Sequence, residues 1–245
     1  MITLILVGGN SQRFYDAGFA LPKVLLPMPF HFTMLDAILS SINPMDDILI
    51  SARAAMRENW DWPATFRGRR IRYIWAEGAA RGPLSGVTDC AELESVKDSL
   101  LISYCDVWFP MGAQRIVRHW RGCYSGAVLF RSRDPRYGYW DGRQMHEKRV
   151  VGQWAVSGLF YFRSAAECYR RAREVSGNGA GLPSLLDWRT CFYKAGIGEL
   201  VDLGTPQEYL KFMHDRERAE DVGRPRADSS TGERGEPSPA EMSAP

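Results

Sequence analysis

The sequence predicts an α/β domain built on a doubly wound, mixed but mainly parallel sheet. Three observations carry that expectation. Residues 2–7, "ITLILV", form an apolar run without alternation, the pattern of a central strand covered on both faces. Over the first 110 residues, strand-like and helix-like segments alternate, which favours parallel pairing. At 245 residues, 45% apolar and 24% charged, the chain can bury a full core without disulfides or metals.

The elements follow in order. The first strand ends in Gly8 and Gly9. "TMLDAILSSI", Thr33 to Ile42, reads as an amphipathic helix stopped by Asn43 and Pro44. "DILIS" from Asp47 and "IRYIWA" from Ile71 are the next strands. "GPLSGVTDCAEL", Gly82 to Leu93, reads as a helix entered through a glycine, and "SLLISYCDVWF", Ser99 to Phe109, holds a fourth strand ending in an acidic turn. Residues 124–162 carry short aromatic-rich pieces, "GAVLF", "RYGYW" and "WAVSGLFYF", better suited to antiparallel pairs. A helix at about 165–175, a Gly-rich loop, a helix from about Pro183 to Tyr193, a short strand "GELVDL" and a helix "TPQEYLKFM" complete the folded part. Residues 215–245 are nearly devoid of apolar side chains and are expected to stay unordered, leaving one domain over 1–214.

Charge and cysteine usage narrow the function classes. From Asp215 onward five Arg face eight Asp or Glu, so the overall +2 becomes +5 over residues 1–214. That balance suits small anionic ligands and is too weak for a nucleic-acid face. "RGRRIR", Arg67 to Arg72, reads as a solvated strand edge. Five cysteines without a CxxC pair read as small buried thiols in a reducing compartment. Four histidines show no zinc-ligand spacing. "MITLILVGG" lacks the basic region of a signal peptide, and no run approaches the ~20 apolar residues of a membrane span. A cytoplasmic protein without membrane or nucleic-acid partners is expected, with a homo-oligomer left open.

Ligands of such sheets bind beyond the carboxyl ends of the strands. Both "GGNSQR" and "CDVWF" fall there. Glycines after a strand let the backbone N–H groups approach phosphate oxygens, and Arg13 and Lys23 add charge at the same end. By itself the loop is equally a tight turn with two surface cations; it matches neither the Walker A nor the G-x-G-x-x-G pattern. Asp106, ending a buried strand, is either a Mg²⁺ ligand or a turn residue. In "LVDLGTPQEYL", Thr205 as N-cap and Pro206 at the first helical position explain the helix start but not Asp202. "HEK", His146 to Lys148, is a sugar or phosphate contact or a solvated loop.

Taken together, "LILVGGNSQRF", "LPKVLLPM", "CDVWF", "EK", "SGLFYF" and "DLGTPQEYL" resemble the sugar-1-phosphate nucleotidyltransferase family, in order and spacing from residue 2 to about 213. The resemblance is to short members, without a left-handed β-helix domain. It implies a Rossmann-like, GT-A-type nucleotide-diphospho-sugar transferase fold. It implies a Mg²⁺-dependent enzyme joining a nucleoside triphosphate to a sugar 1-phosphate with release of pyrophosphate, in nucleotide-sugar and polysaccharide biosynthesis. Carried over, Gly8 and Gly9 lie against the nucleoside, with Ser11, Gly82 and Ser85 also on the nucleotide side. Arg13 and Lys23 hold the triphosphate and the leaving pyrophosphate as the catalytic pair. Asp106 and Asp202 hold Mg²⁺; Glu147, Lys148 and Gly158 meet the sugar phosphate. The family's loop is usually G-G-x-G-T-R, so Ser11 stands where a glycine is common. A glycosyltransferase of similar architecture, a cytidylyltransferase-like enzyme acting on a non-sugar phosphate and a non-catalytic nucleotide-binding relative are the alternatives.

Overall fold

The computed structural model describes residues 1–9, 11–77, 82–176 and 181–223. Strand β1 (Ile2–Val7) leads through α1 (Gln12–Asp16) and a 3-10 turn at Lys23–Leu25 into α2 (Met34–Ser41) and β2 (Asp47–Arg53). Then come β3 (Thr65–Phe66), β4 (Arg69–Ala76), α3 (Pro83–Thr88), β5 (Leu100–Tyr104), β6 (Val107–Trp108) and α4 (Ala113–Val117). The second half runs β7 (Ser125–Arg131), β8 (Tyr139–Trp140), β9 (Met145–His146), β10 (Trp154–Phe162), α5 (Ala165–Val175), β11 (Thr190–Lys194), β12 (Val201–Asp202) and α6 (Pro206–Gly223).

The main sheet has the order β11-β7-β10-β5-β1-β2-β4-β3. Its centre, β5-β1-β2-β4, is parallel throughout, as the β/α alternation predicts. The second half adds antiparallel pairs through β10, which joins β5 on one side and β7 on the other. Strand β1 explains why two layers form. Ile5 and Val7 belong to one core with α2, whereas Ile2, Leu4 and Leu6 belong to the other with α3 and α5. All six residues of β1 are buried, which the uninterrupted apolar run foretold. Its one polar residue, Thr3, is satisfied by donating to Asp46 Oδ2 at 2.9 Å. Helix α2 begins at a capping box between Thr33 and Asp36, each satisfying the other's backbone N–H.

Four expectations need correction or sharpening. The helix expected from Pro183 to Tyr193 is instead a 3-10 turn at Leu182–Leu185 followed by edge strand β11, parallel to β7. The run Thr190–Cys191–Phe192–Tyr193 is β-branched and aromatic, and sheet pairing wins there. The helix read over 82–93 breaks after Thr88 and resumes as a 3-10 turn at Ala91–Ser95. Not all cysteines are thiols: Cys123 and Cys191 form a disulfide tying the end of α4's segment to β11, while Cys90, Cys105 and Cys168 are buried and free. Finally, α6 continues to Gly223, nine residues past 214, and residues 224–245 lie outside the described residues. Among the described residues, no helix is long and apolar enough to cross a membrane.

The strand order fixes where a ligand belongs. The chain leaves β1 toward β2 and β4, then returns to β5 on the other side of β1. The carboxyl ends of β1 and β5 therefore flank the switch point, where open α/β sheets bind ligands.

Candidate active site

Two cavities open at that switch point and share a wall made by Tyr104 and Asp106. The first, about 270 Å³, is lined by Leu6, Gly8, Gly9, Lys23, Gly82, Pro83 and Cys105 besides the shared wall. The second, about 230 Å³, is lined by Arg13, Arg136, Tyr137, Lys148, Ser157, Gly158, Asp202 and Gly204 among others.

The first cavity is built from the loops after β1 and β5. Gly8 and Gly9 leave the strand end bare, and a Cβ on either would meet nothing within 4 Å. Their function is therefore an open approach to the backbone rather than tight packing. Ser11 adopts a left-handed conformation, φ 53° and ψ 19°, which costs a non-glycine residue energy. Its Oγ accepts the backbone N–H of Lys23 at 3.1 Å, joining the glycine loop to the lysine segment. In that segment Pro22, Val24 and Leu26 are buried, which turns the alternate residue, Lys23, toward the cavity. Phe14 is buried against Phe19 and Tyr209, and this pins α1 with Arg13 exposed on its outer side.

Lys23 Nζ forms an ion pair with Asp106 Oδ2. Burial would lower the lysine's pKa, but Asp106 overrides it, with Cys105 and Asp202 adding to the rise, so the ammonium stays charged. Burial pushes the Cys105 thiol up to about 11, with Lys23 opposing and Asp106 adding to the shift, so this wall residue is neutral at pH 7.

Asp202 reaches the same place from the other end of the chain. The β6/β12 ladder pairs Asp202 with Val107, and Leu203 N–H donates to Asp106 C=O at 2.8 Å. Between the two carboxylates sits Gly204. A Cβ there would stand 3.0 Å from Asp202 Oδ1 and 3.4 Å from Asp106 Oδ2. The glycine is thus needed for the carboxylate pair and not only for the turn. Burial raises the Asp202 pKa to about 6, the Asp106 charge adds to the rise, and donors from Tyr137 and Gly204 oppose it.

The donor set suits a hard divalent cation. Mg²⁺ is usually held by one or two carboxylates, several waters and substrate phosphates rather than by an all-protein cage. Among the described residues no group of three or more His, Cys, Asp or Glu forms such a cage, but the Asp106 and Asp202 carboxylates lie together on either side of Gly204, which fits that two-carboxylate pattern.

The sequence-predicted residues divide between the cavities. Gly8, Gly9, Lys23 and Gly82 line the first; Arg13, Lys148, Gly158 and Asp202 line the second; Asp106 lines both. Ser11 and Ser85 line neither: Ser11 serves Lys23, and Ser85 Oγ donates to Gly82 C=O at 2.8 Å inside the first turn of α3. Arg81 lies outside the described residues. Gly158 has a packing reason as well, since a Cβ would stand 2.6 Å from the Tyr104 side chain. The β8/β9 hairpin carries "EK" to the second cavity. Its turn is held by Asp141, which accepts from the Arg143 and Gln144 N–H groups and pairs with His146. Lys148, at φ 50°, lines the cavity, whereas the Glu147 carboxylate lies beside Gly138 and Gly181.

Reading the sequence missed Arg136, Tyr137 and Gly204. Arg136 and Tyr137 fall in "RYGYW", which reads only as a strand-like piece, after Asp134 and Pro135. Its one usable signal was Asp134 before Pro135, a turn former that here accepts the Arg136 N–H at 3.0 Å.

An open α/β sheet with a lysine and two carboxylates at its switch point is an arrangement suited to handling phosphates. Residues 3–192 match the model of the MobA-like NTP transferase domain, and the chain belongs to that family. It is a nucleotidyltransferase. No curated protein sequence matches the chain significantly. Among solved structures, a nucleoside-diphosphate-sugar pyrophosphorylase from Vibrio cholerae RC9 is similar with TM-score 0.67 and 19% identity, over 87% of this chain and 100% of that one. A putative glucose-1-phosphate thymidylyltransferase from Bacillus anthracis, in complex with a sucrose, gives 0.68 and 17%, over 92% and 98%. A UDP-glucose pyrophosphorylase complexed with UDP-glucose gives 0.69 and 13%, over 89% and 100%. At these identities the likeness establishes the Rossmann-like fold.

Proposed function

We propose that the enzyme joins a nucleoside triphosphate to a sugar 1-phosphate and releases pyrophosphate, with Mg²⁺ as its metal. The observation that carries this reading is the pair of cavities meeting at Tyr104 and Asp106, with Lys23 on one side and Arg13 and Lys148 on the other. Two anionic substrates can be seated with their phosphates converging on one carboxylate wall. The nucleoside takes the bare backbone of Gly8 and Gly9 and the Gly82–Pro83 entry to α3. The acceptor takes the cavity beside Lys148 and Gly158, with Glu147 near its rim.

A phosphate monoester has a second pKa of about 6 and is largely dianionic at neutral pH, so no general base is required. An acceptor phosphate oxygen attacks the α-phosphorus. The new P–O bond forms as the bond to the β-phosphate oxygen breaks, and pyrophosphate leaves with the electron pair. Lys23 and Arg13 neutralise the triphosphate and the leaving group, and Lys148 orients the acceptor phosphate. Asp106 and Asp202 would hold Mg²⁺, which would supply further cancellation of charge on the phosphate oxygens. The reaction is proposed for the cytoplasm, with the Cys123–Cys191 disulfide the one feature more typical of an oxidising compartment.

The test is pyrophosphate release from a panel of five nucleoside triphosphates against sugar 1-phosphates, with Mg²⁺ present. Release that depends on both substrates is the expected outcome. Transfer of a sugar from a nucleotide sugar, or triphosphate binding with no pyrophosphate formed for any acceptor, overturns the reading.

A further inference from the structure

We propose that Tyr137, fixed by Arg136, is a positioning residue for the metal-binding carboxylate of Asp202. The inference rests on the metal assignment above and adds the residues that orient it.

The hydrogen bonds run in one direction. Arg136 Nη2 donates to Tyr137 Oη at 2.6 Å and also pairs with Glu208 Oε1 on α6. Arginine has no acceptor, so the phenol oxygen accepts a hydrogen bond from Arg136 and must point its own hydrogen elsewhere. It points at Asp202 Oδ2. The other carboxylate oxygen, Oδ1, accepts the Gly204 N–H at 2.8 Å. One donor on each oxygen fixes the rotation of the carboxylate and leaves each oxygen a lone pair for a cation.

The far end of the chain is also held. Glu208 Oε2 accepts from Thr205 Oγ1 at 3.0 Å, and Thr205 Oγ1 accepts the Glu208 N–H at 3.3 Å, so the cap of α6 fixes the acid that grips Arg136. Arg136 Nε lies 2.9 Å from Asp134 Oδ2, an ion pair without hydrogen-bond alignment, and the guanidinium sits 4.8 Å over the Tyr137 ring. Phe130 packs edge-on to that ring at 5.0 Å. A tyrosine so restrained has one use for its hydroxyl. Partners that orient metal ligands typically contribute 10–100-fold in metal affinity.

The experiment measures Mn²⁺ binding to the full chain by electron paramagnetic resonance, with Mn²⁺ alone and with pyrophosphate. Tyr137→Phe keeps the ring and removes the hydroxyl. Its Mn²⁺ affinity should fall at least tenfold, with pyrophosphate binding in the absence of metal unchanged. In turnover assays the loss should appear as a higher Mg²⁺ requirement that excess Mg²⁺ recovers. Arg136→Leu, which frees the phenol, should weaken Mn²⁺ binding severalfold. Affinity within twofold of wild type in either variant overturns the proposal. Wild-type protein that binds no Mn²⁺ under either condition removes the metal assignment itself, a different result from the first.

Discussion

The two sides of the Tyr104–Asp106 wall are built by different means. The cavity beside Lys23 comes from parallel strands, whose carboxyl ends deliver Gly8, Gly9 and Asp106 to the switch point by topology alone. The cavity beside Lys148 comes mainly from the antiparallel half and the segment before α6, with Arg13 added from α1. Arg136, Lys148, Gly158 and Asp202 lie on four segments and meet only through long-range contacts such as the Tyr137–Asp202 hydrogen bond. Where topology places a residue, its removal should disturb chemistry and little else. Where a hydrogen-bond network places it, removal should spread to its neighbours.

The largest expected effects fall on the wall. Lys23→Ala removes the ammonium paired with Asp106 and, under the proposed mechanism in which that charge faces the departing pyrophosphate, should lower kcat by about 10²–10³-fold. Asp106→Asn should cost as much, since a neutral amide is a poor Mg²⁺ ligand. Lys148→Ala, by contrast, should raise KM for the acceptor about tenfold with kcat nearly kept. Steady-state kinetics in both substrates separate the two outcomes, and a kcat loss confined to Lys148→Ala would reverse the roles assigned to the cavities.

Asp202 sets function against stability. Its folded pKa of about 6 exceeds an unfolded value of about 3.9, so the native state holds the proton more tightly. The contribution of Asp202 to metal-free stability should therefore fall as pH rises from about 4 to about 6 and level off above. Asp202→Asn should abolish most turnover yet stabilise the metal-free protein at pH 7.5 by on the order of 1–2 kcal/mol. Thermal unfolding across that pH range should show a less negative slope in the variant than in the wild type, with the shifted Asp46 common to both. A slope of opposite sign would mean that Asp202 is stabilised, not strained, by its surroundings.

Gly204→Ala should act more mildly, about tenfold on kcat, through a Cβ 3.0 Å from Asp202 Oδ1. That residue also shows what a sequence can and cannot reveal. Its glycine was readable as a turn, and Thr205 and Pro206 as a helix start, because those signals are local. Its second duty, making room for the carboxylates of Asp106, just before β6, and Asp202, on β12, depends on a pairing of residues nearly a hundred apart. The parallel centre of the sheet was legible for the same reason: apolar runs and β/α alternation are local patterns. Edge strand β11 was misread because a short run containing Leu and Pro fits a helix start until the sheet edge claims it. The Cys123–Cys191 bond has no spacing signal at all. Arg136 and Tyr137 had a turn signal but no sign of what they would touch.

The smallest effect expected sharpens the nucleotide side most. Ser11 holds a left-handed backbone, φ 53°, and offers Oγ to the Lys23 N–H. Ser11→Gly relieves the backbone strain and loses the hydrogen bond; Ser11→Ala keeps the strain and loses the bond. A left-handed conformation costs a non-glycine residue about 1–2 kcal/mol, and a typical hydrogen bond contributes about 1 kcal/mol. The glycine variant should therefore unfold within about 1 kcal/mol of wild type, while the alanine variant is less stable by about 1 kcal/mol. If the hydrogen bond aims Lys23, both variants should lose kcat equally, by a few-fold, whatever their stability. Unchanged kcat in both variants would instead leave the Ser11 hydrogen bond a stability role alone. The comparison thus separates two uses of one serine: as a strut that only steadies two loops, or as a strut that also aims Lys23.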